Sequence, residues 1–275
     1  MKMKIKLIAL DLDGTFLKHG NVVSEANRNA VLKAVSEGIT VVISTGRVFG
    51  EIPPSVKEIE GISYYITSNG GAVLDAKGKL IYENPLVRET SDGIMKILRK
   101  YDCLLDLYIA GKAYIRNFDE SELPHYGLSS KDFDTFRIFR NFVDDINEFY
   151  ESCPDRVEKI NMFFGDTDER ERAIRELGEL NPVPQLTYSM GNNLEVNSAD
   201  CTKGKALSEL CKKLGIFPVE VMAAGDSNND VTMLDYAGVS VAMGNAPQFV
   251  KNYAKYETDS CENDGVAKAI EKYAL

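Results

Sequence analysis

The stretch KIKLIALDLDGT, Lys4 to Thr15, carries an apolar run of strand length that ends in two carboxylates and a glycine. An uninterrupted run of this kind suits a strand covered on both faces, as in a parallel sheet. Gly14, Gly20 and Asn21 mark turns between this strand and the next helix. Ser24 then offers an N-cap to a helix predicted to reach about Glu37, with Ala26, Ala30, Val31, Ala34 and Val35 at helical spacing and Gly38 as its stop. Ile39 to Ser44 reads as a second buried strand. Strand, helix and strand in this order form a right-handed crossover unit.

Working outward, a further strand is predicted near Ser63 to Thr67, and Ala72 to Glu83 reads as a hairpin about the turn Asp75-Ala76-Lys77-Gly78. From residue 86 to 187 the chain is richer in aromatic and charged residues. Helices are expected there at Ser91 to Lys100 and Thr167 to Leu180, and strands near Leu104 to Ile109, Ala113 to Arg116 and Lys159 to Phe164. Phe133, Phe136, Phe139, Phe142 and Phe149 read as the core of this region. Beyond Asp200 the alternation resumes: helix from Lys203 to Leu214, strand from Glu220 to Ala224, helix from Asn229 to Ala237, strand from Val239 to Met243 and a closing helix from Gly265 to Tyr273. The expected fold class is α/β, a parallel-sheet core built from residues 1–85 and 188–275 with an α+β domain, residues 86–187, inserted between them.

Composition narrows the function. The chain has 275 residues, and 32 Lys plus Arg against 42 Asp plus Glu give a net charge of −10. A 44% hydrophobic fraction is that of a globular protein. The acidic balance repels phosphate backbones and anionic lipid, so no nucleic-acid and no membrane partner is expected. Lys2, Lys4 and Lys6 precede an apolar run that Asp11 cuts off too soon for a signal peptide, which points to a cytoplasmic protein. The five cysteines and two histidines, His19 and His125, lie too far apart to form a familiar metal motif. Charge leaves the oligomeric state open between monomer and weak homo-oligomer.

Asp11 and Asp13 close the first strand, where ligands of open parallel sheets bind. In extended backbone, residues two apart share a side, so both could face one site. Two carboxylates so close repel unless a cation or a proton intervenes. A hard divalent cation makes them part of an oxygen-ligand site, and a proton on one makes a general acid beside a nucleophile. A polar turn is the plain alternative. A second acidic loop, Gly225-Asp226-Ser227-Asn228-Asn229-Asp230, again joins a strand to a helix and would meet the first at the same sheet end. Ser44-Thr45-Gly46-Arg47 suits phosphate oxygens through its hydroxyl and backbone N–H groups. Lys203 stands at a helix start, against the helix dipole, as if an anion were there to be neutralised. Asn69-Gly70-Gly71 reads either as a turn or as a reach of Asn69 toward the site mouth.

DLDGT (11–15), STGR (44–47), SNGG (68–71), TKGKAL (202–207), GDSNND (225–230) and AMGNA (242–246) occur in this chain in the order seen in Cof-like phosphatases of the haloacid dehalogenase superfamily. The resemblance spans both core segments and implies a Rossmann-like core with a type IIB cap that governs substrate specificity. It implies a phosphoric monoester hydrolase in which Asp11 attacks phosphorus to form an aspartyl phosphate and Asp13 protonates the leaving oxygen and later deprotonates water. Thr45 and Gly46 would hold phosphate oxygens, Asn229 would contact phosphate, and Lys203 would neutralise both nucleophile and phosphate. Mg²⁺ would be bound by Asp11, Asp226 and Asp13 through its backbone carbonyl, with Asp230 in support. Arg47 and Asn69 would face the cap and touch the substrate. The implied partner is a small phosphate ester, with sugar phosphates favoured. A phosphomutase or phosphotransferase, and a regulatory module phosphorylated on Asp11, are the competing readings.

Overall fold

The computed structural model describes residues 4–153, 157–188 and 192–275. In chain order the elements are β1 (Leu7–Asp11), β2 (Leu17–Lys18), β3 (Val22–Val23), α1 (Glu25–Ser36), β4 (Thr40–Ser44), α2 (Pro54–Lys57), β5 (Ile62–Thr67), β6 (Ala72–Asp75) and β7 (Leu80–Glu83). The middle part holds α3 (Arg88–Leu98), β8 (Cys103–Ile109), β9 (Lys112–Arg116), α4 (Ser130–Phe139), β10 (Arg140–Val143), α5 (Ile146–Ser152), β11 (Val157–Phe164), α6 (Thr167–Leu177), β12 (Gln185–Thr187) and β13 (Asn193–Asn197). The last part holds α7 (Lys203–Leu214), β14 (Val221–Gly225), α8 (Val231–Tyr236), β15 (Val239–Ala242), α9 (Gln248–Lys251), β16 (Tyr256–Glu257) and α10 (Gly265–Tyr273). The chain divides into two units, residues up to Glu83 with Thr202–Leu275, and Asn84–Cys201.

In the first unit the strand order is β16-β15-β14-β1-β4-β5-β6-β7. Pairing is parallel from β16 to β5 and antiparallel at β6 and β7. The apolar run of β1 is uninterrupted because both faces are covered. Ile8 and Leu10 join one cluster with Val31 of α1 and Ile270 of α10, while Leu7 and Ala9 join another with Leu207 of α7 and Leu234 of α8. Ser24 caps α1 by accepting the Asn27 N–H at 3.1 Å, as its residue type predicts. The buried Asn27 side chain donates to the Phe16 carbonyl and accepts the Ala267 N–H. It thereby ties the turn after β1 to both helices on that face.

The second unit is α+β, with strand order β10-β9-β8-β11-β13-β12, antiparallel except between β10 and β9. Leu105, Leu107, Ile160, Met162, Leu194 and Val196 pack with Ile94 of α3, Tyr150 of α5 and Ala173 of α6. The alternate positions carry Asp106, Tyr108, Lys159, Asn161 and Glu195, so one sheet face is polar. Phe133, Phe136 and Phe142 enter a smaller apolar cluster, and Phe149 stacks on Tyr114 at 4.5 Å.

The expected end of the insertion at residue 187 is too early. β13 pairs onto β11 through Val196↔Ile160 and β12 onto β13 through Leu186↔Val196, which carries the second unit on to Cys201. Asn193, Glu195 and Asn197 dilute the apolar signal of β13 because only its alternate residues face the hydrophobic layer. His19 and His125 are exposed and paired with Glu262 and Asp102. Among the described residues no helix is long and apolar enough to cross a membrane.

Candidate active site

β1 lies between β4 and β14, with Asp11 opposite Ser44 and Leu10 opposite Ala224. This is the point where the strand order reverses, and there the loops leaving adjacent strands open a crevice at their carboxyl ends. Asp11 shares its strand parity with Leu7 and Ala9, which face α7. The first residue of α7, Lys203, places its Nζ 2.6 Å from Asp11 Oδ1 and 2.7 Å from Asp230 Oδ1. All three side chains are buried. Burial alone would pull the lysine pKa down, but the carboxylates of Asp11 and Asp230 outweigh it and hold Lys203 charged. The residue that opposed the helix dipole is thus balanced by two anions.

The second acidic loop is braced from within. Asp230 Oδ2 accepts the N–H groups of Asp226 and Ser227, each at 3.0 Å. Thr15 Oγ1 donates to Asp226 Oδ1 at 3.2 Å. Asn245 Nδ2 donates both to the Gly14 carbonyl at 2.9 Å and to Asp226 Oδ2 at 3.1 Å. Gly14 adopts φ +77°, and a Cβ there would lie 2.5 Å from Asp226 Oδ2, so no larger residue fits between the two loops.

Asp11, Asp226 and Asp230 offer carboxylate oxygens that all lie within 4.8 Å of one another. Burial first, then repulsion from Asp230, raises Asp11 well above the ordinary carboxylate range and pushes Asp226 up to about 6. Three carboxylates against one ammonium leave two negative charges uncompensated. Asp11 Oδ2 is buried and, among the described residues, no N–H or O–H group is placed to donate to it. An orphaned anionic oxygen amid hard donors fits a divalent cation, which would reverse the upward shifts.

Asp13 does not join this group through its side chain. The extended stretch ends at Asp11, and the turn through Gly14 cancels the two-residue periodicity. The Asp13 carboxylate turns instead to Arg47, which was expected on the substrate. The other predicted phosphate contacts do converge. Asn229 Nδ2 donates to Asn69 Oδ1 at 3.0 Å, the Asn69 N–H donates to the Thr45 carbonyl at 3.1 Å, and Asn69 packs over Gly46. Thr15 and Asn245 were not singled out as site residues, although both lie inside the DLDGT and AMGNA motifs. Only their position against Asp226 gives them away.

A parallel-sheet crevice with paired acidic loops and a buried lysine is built to hold a cation beside an anionic ligand, and comparison with known proteins supplies the class. Residues 8–270 match the haloacid dehalogenase-like hydrolase family, to which the chain belongs. It is an enzyme of that family's phosphatase type. The chain is 32% identical over 271 residues to the 5-amino-6-(5-phospho-D-ribitylamino)uracil phosphatase YcsE of Bacillus subtilis, covering 98% of this chain and 96% of that one. A haloacid dehalogenase-like hydrolase from B. subtilis superposes with TM-score 0.86 at 28% identity, covering 98% and 99% of the two chains. The subclass IIB sugar phosphatase BT4131 shares the fold, with TM-score 0.81 at 23% identity and coverage of 97% and 98%.

Proposed function

We propose that this phosphatase is Mg²⁺-dependent, works through an aspartyl phosphate on Asp11 and hydrolyses small phosphorylated metabolites, with sugar or polyol phosphates favoured. One observation carries the reading: at the end of β1 Asp11 holds one oxygen on Lys203, while its other is buried and without a hydrogen-bond donor among the described residues. Asp11 bonds to phosphorus as the bond to the leaving oxygen breaks, and Asp13 delivers a proton to that oxygen. Asp13 then takes a proton from the water that cleaves the acyl phosphate. Thr45, the Gly46 backbone and Asn229 orient the phosphoryl oxygens, and Lys203 offsets charge on the nucleophile. Asp11, Asp226 and the Asp13 carbonyl would hold Mg²⁺, whose charge, when bound, offsets the repulsion between a carboxylate and a phosphate dianion. Both Asp230 oxygens are engaged, one by Lys203 and the other by the loop backbone, so Asp230 supports the site through those partners.

The second unit, in this reading, selects the leaving group. Its polar sheet face, with Asp106, Lys159 and Glu195, suits a hydroxyl-rich molecule, and the names of YcsE and BT4131 support that class. The test is phosphate release from a panel of phosphorylated metabolites with Mg²⁺ and no second acceptor. Multiple turnovers on polyol phosphates are expected. Product formed only when a sugar acceptor is added would favour a phosphotransferase, and a long-lived acyl phosphate without turnover would favour a regulatory module.

Metal dependence has a pH signature in stability. Asp226, raised from 3.8 to about 6, keeps its proton in the folded chain where the unfolded chain has released it, and Asp11 is raised in the same direction. The metal-free fold therefore loses stability as pH rises from near 4 toward about 6. Ionised carboxylates bind the cation, so the gain in Tm from Mg²⁺ over EDTA is expected to be small at the acidic end of that window and larger above it. A gain that does not change with pH would contradict the cluster as the binding site.

A further inference from the structure

Arg47 is held from several directions within the first unit. Its Nε donates to Asp13 Oδ2 at 2.9 Å and its Nη2 to Asp13 Oδ1 at 2.5 Å. Nη1 donates to the Glu51 carbonyl at 3.2 Å, and Nη2 also donates to Asn21 Oδ1 at 2.6 Å. Asn21 sits in the turn joining β2 to β3 with φ +62°, a left-handed conformation that asparagine tolerates better than most side chains. Its side chain is committed to Arg47.

From this geometry we infer that Asn21 is a positioning residue: by fixing the Arg47 guanidinium it sets the Asp13 carboxyl group for proton delivery to the leaving oxygen. The inference rests on the reading of Asp13 as proton donor. The Asp13 side chain is 53% exposed, so packing does little to orient it and the two-pronged contact with Arg47 does most. Glu51 and Asp13 hold the guanidinium along two edges, and Asn21 supplies a further acceptor at Nη2 that opposes its rotation. Misplacement by about 1 Å can cost on the order of a hundredfold in such a step.

The consequence depends on the leaving group. An alkoxide needs the proton from Asp13 as its bond to phosphorus breaks, whereas p-nitrophenolate departs as a stable anion without it. Asn21→Gly keeps the left-handed backbone accessible and removes only the acceptor. The expected result is a fall of about tenfold in kcat/KM for an alkyl phosphate and a change within about twofold for p-nitrophenyl phosphate, with Tm retained. Asn21→Asp keeps an acceptor oxygen and is expected to restore the alkyl-to-aryl ratio toward that of the unsubstituted enzyme. An unchanged or increased ratio in Asn21→Gly, alongside a collapse of alkyl phosphate turnover in Asp13→Asn, overturns the role of Asn21 and leaves the proton-donor reading standing. Undiminished alkyl turnover in Asp13→Asn overturns both.

Discussion

Asp11→Asn is expected to lower phosphatase turnover by about four orders of magnitude or more while the protein stays folded. An amide cannot form the acyl phosphate, and no other described carboxylate shares the position of Asp11 at the end of β1, with one oxygen on Lys203 and the other without a hydrogen-bond donor among the described residues. Survival of the fold is expected on grounds of charge. The site holds three carboxylates against one ammonium, so neutralising one relieves repulsion, and Lys203 keeps Asp230 at 2.7 Å. The metal-free Tm of the variant is expected to equal or exceed that of the unsubstituted protein. Turnover of an aryl phosphate, measured with Mg²⁺ in excess, decides the matter. Activity within tenfold of the unsubstituted enzyme would remove Asp11 as nucleophile.

Lys203→Met should show the largest loss of stability. The ammonium is fully buried between Asp11 and Asp230, and methionine fills a similar volume without the charge. Removing one partner of a buried ionic group leaves the others uncompensated, at a cost of about 3–5 kcal/mol. Part of that cost can be escaped by protonating Asp11 or Asp226, which are already raised. The deficit should therefore be smaller in acid and grow as pH rises through about 6. Urea denaturation at two pH values measures it. A loss below about 1 kcal/mol, the size expected of an exposed ion pair, would show that Lys203 does not carry the electrostatic balance of the site. Turnover should fall as well, since Lys203 orients Asp11 and offsets the charge it brings to phosphate.

Much of this molecule was legible in its residues because local physics and tertiary demand agree there. The run from Leu7 to Leu10 announces a strand covered on both sides, and the clusters on its two faces are what make such a run stable. α7 and α10 begin and end where their spacing predicts, at Lys203–Leu214 and Gly265–Tyr273. β13 was hidden because its polar alternate residues mask the periodicity, and only its pairing with β11 reveals the strand. The helical region expected from Asn229 begins instead with a tight turn at Asn228–Asp230, which lets Asp230 fold back on the N–H groups of Asp226 and Ser227.

The order of motifs along the chain, read by itself, determined the class of fold, the acidic loops and the residues that gather around Asp11. Strands and helices are written in patterns a few residues long, so a linear reading reaches them. Which carboxylates share a charge balance was decided only in three dimensions. Asp13 stands two residues from Asp11 yet turns to Arg47, whereas Asp230, more than two hundred residues away, shares its lysine. Side-chain direction past the end of a strand depends on the adjoining turn and on distant partners, and Coulomb energy depends on distance in space, not on separation along the chain.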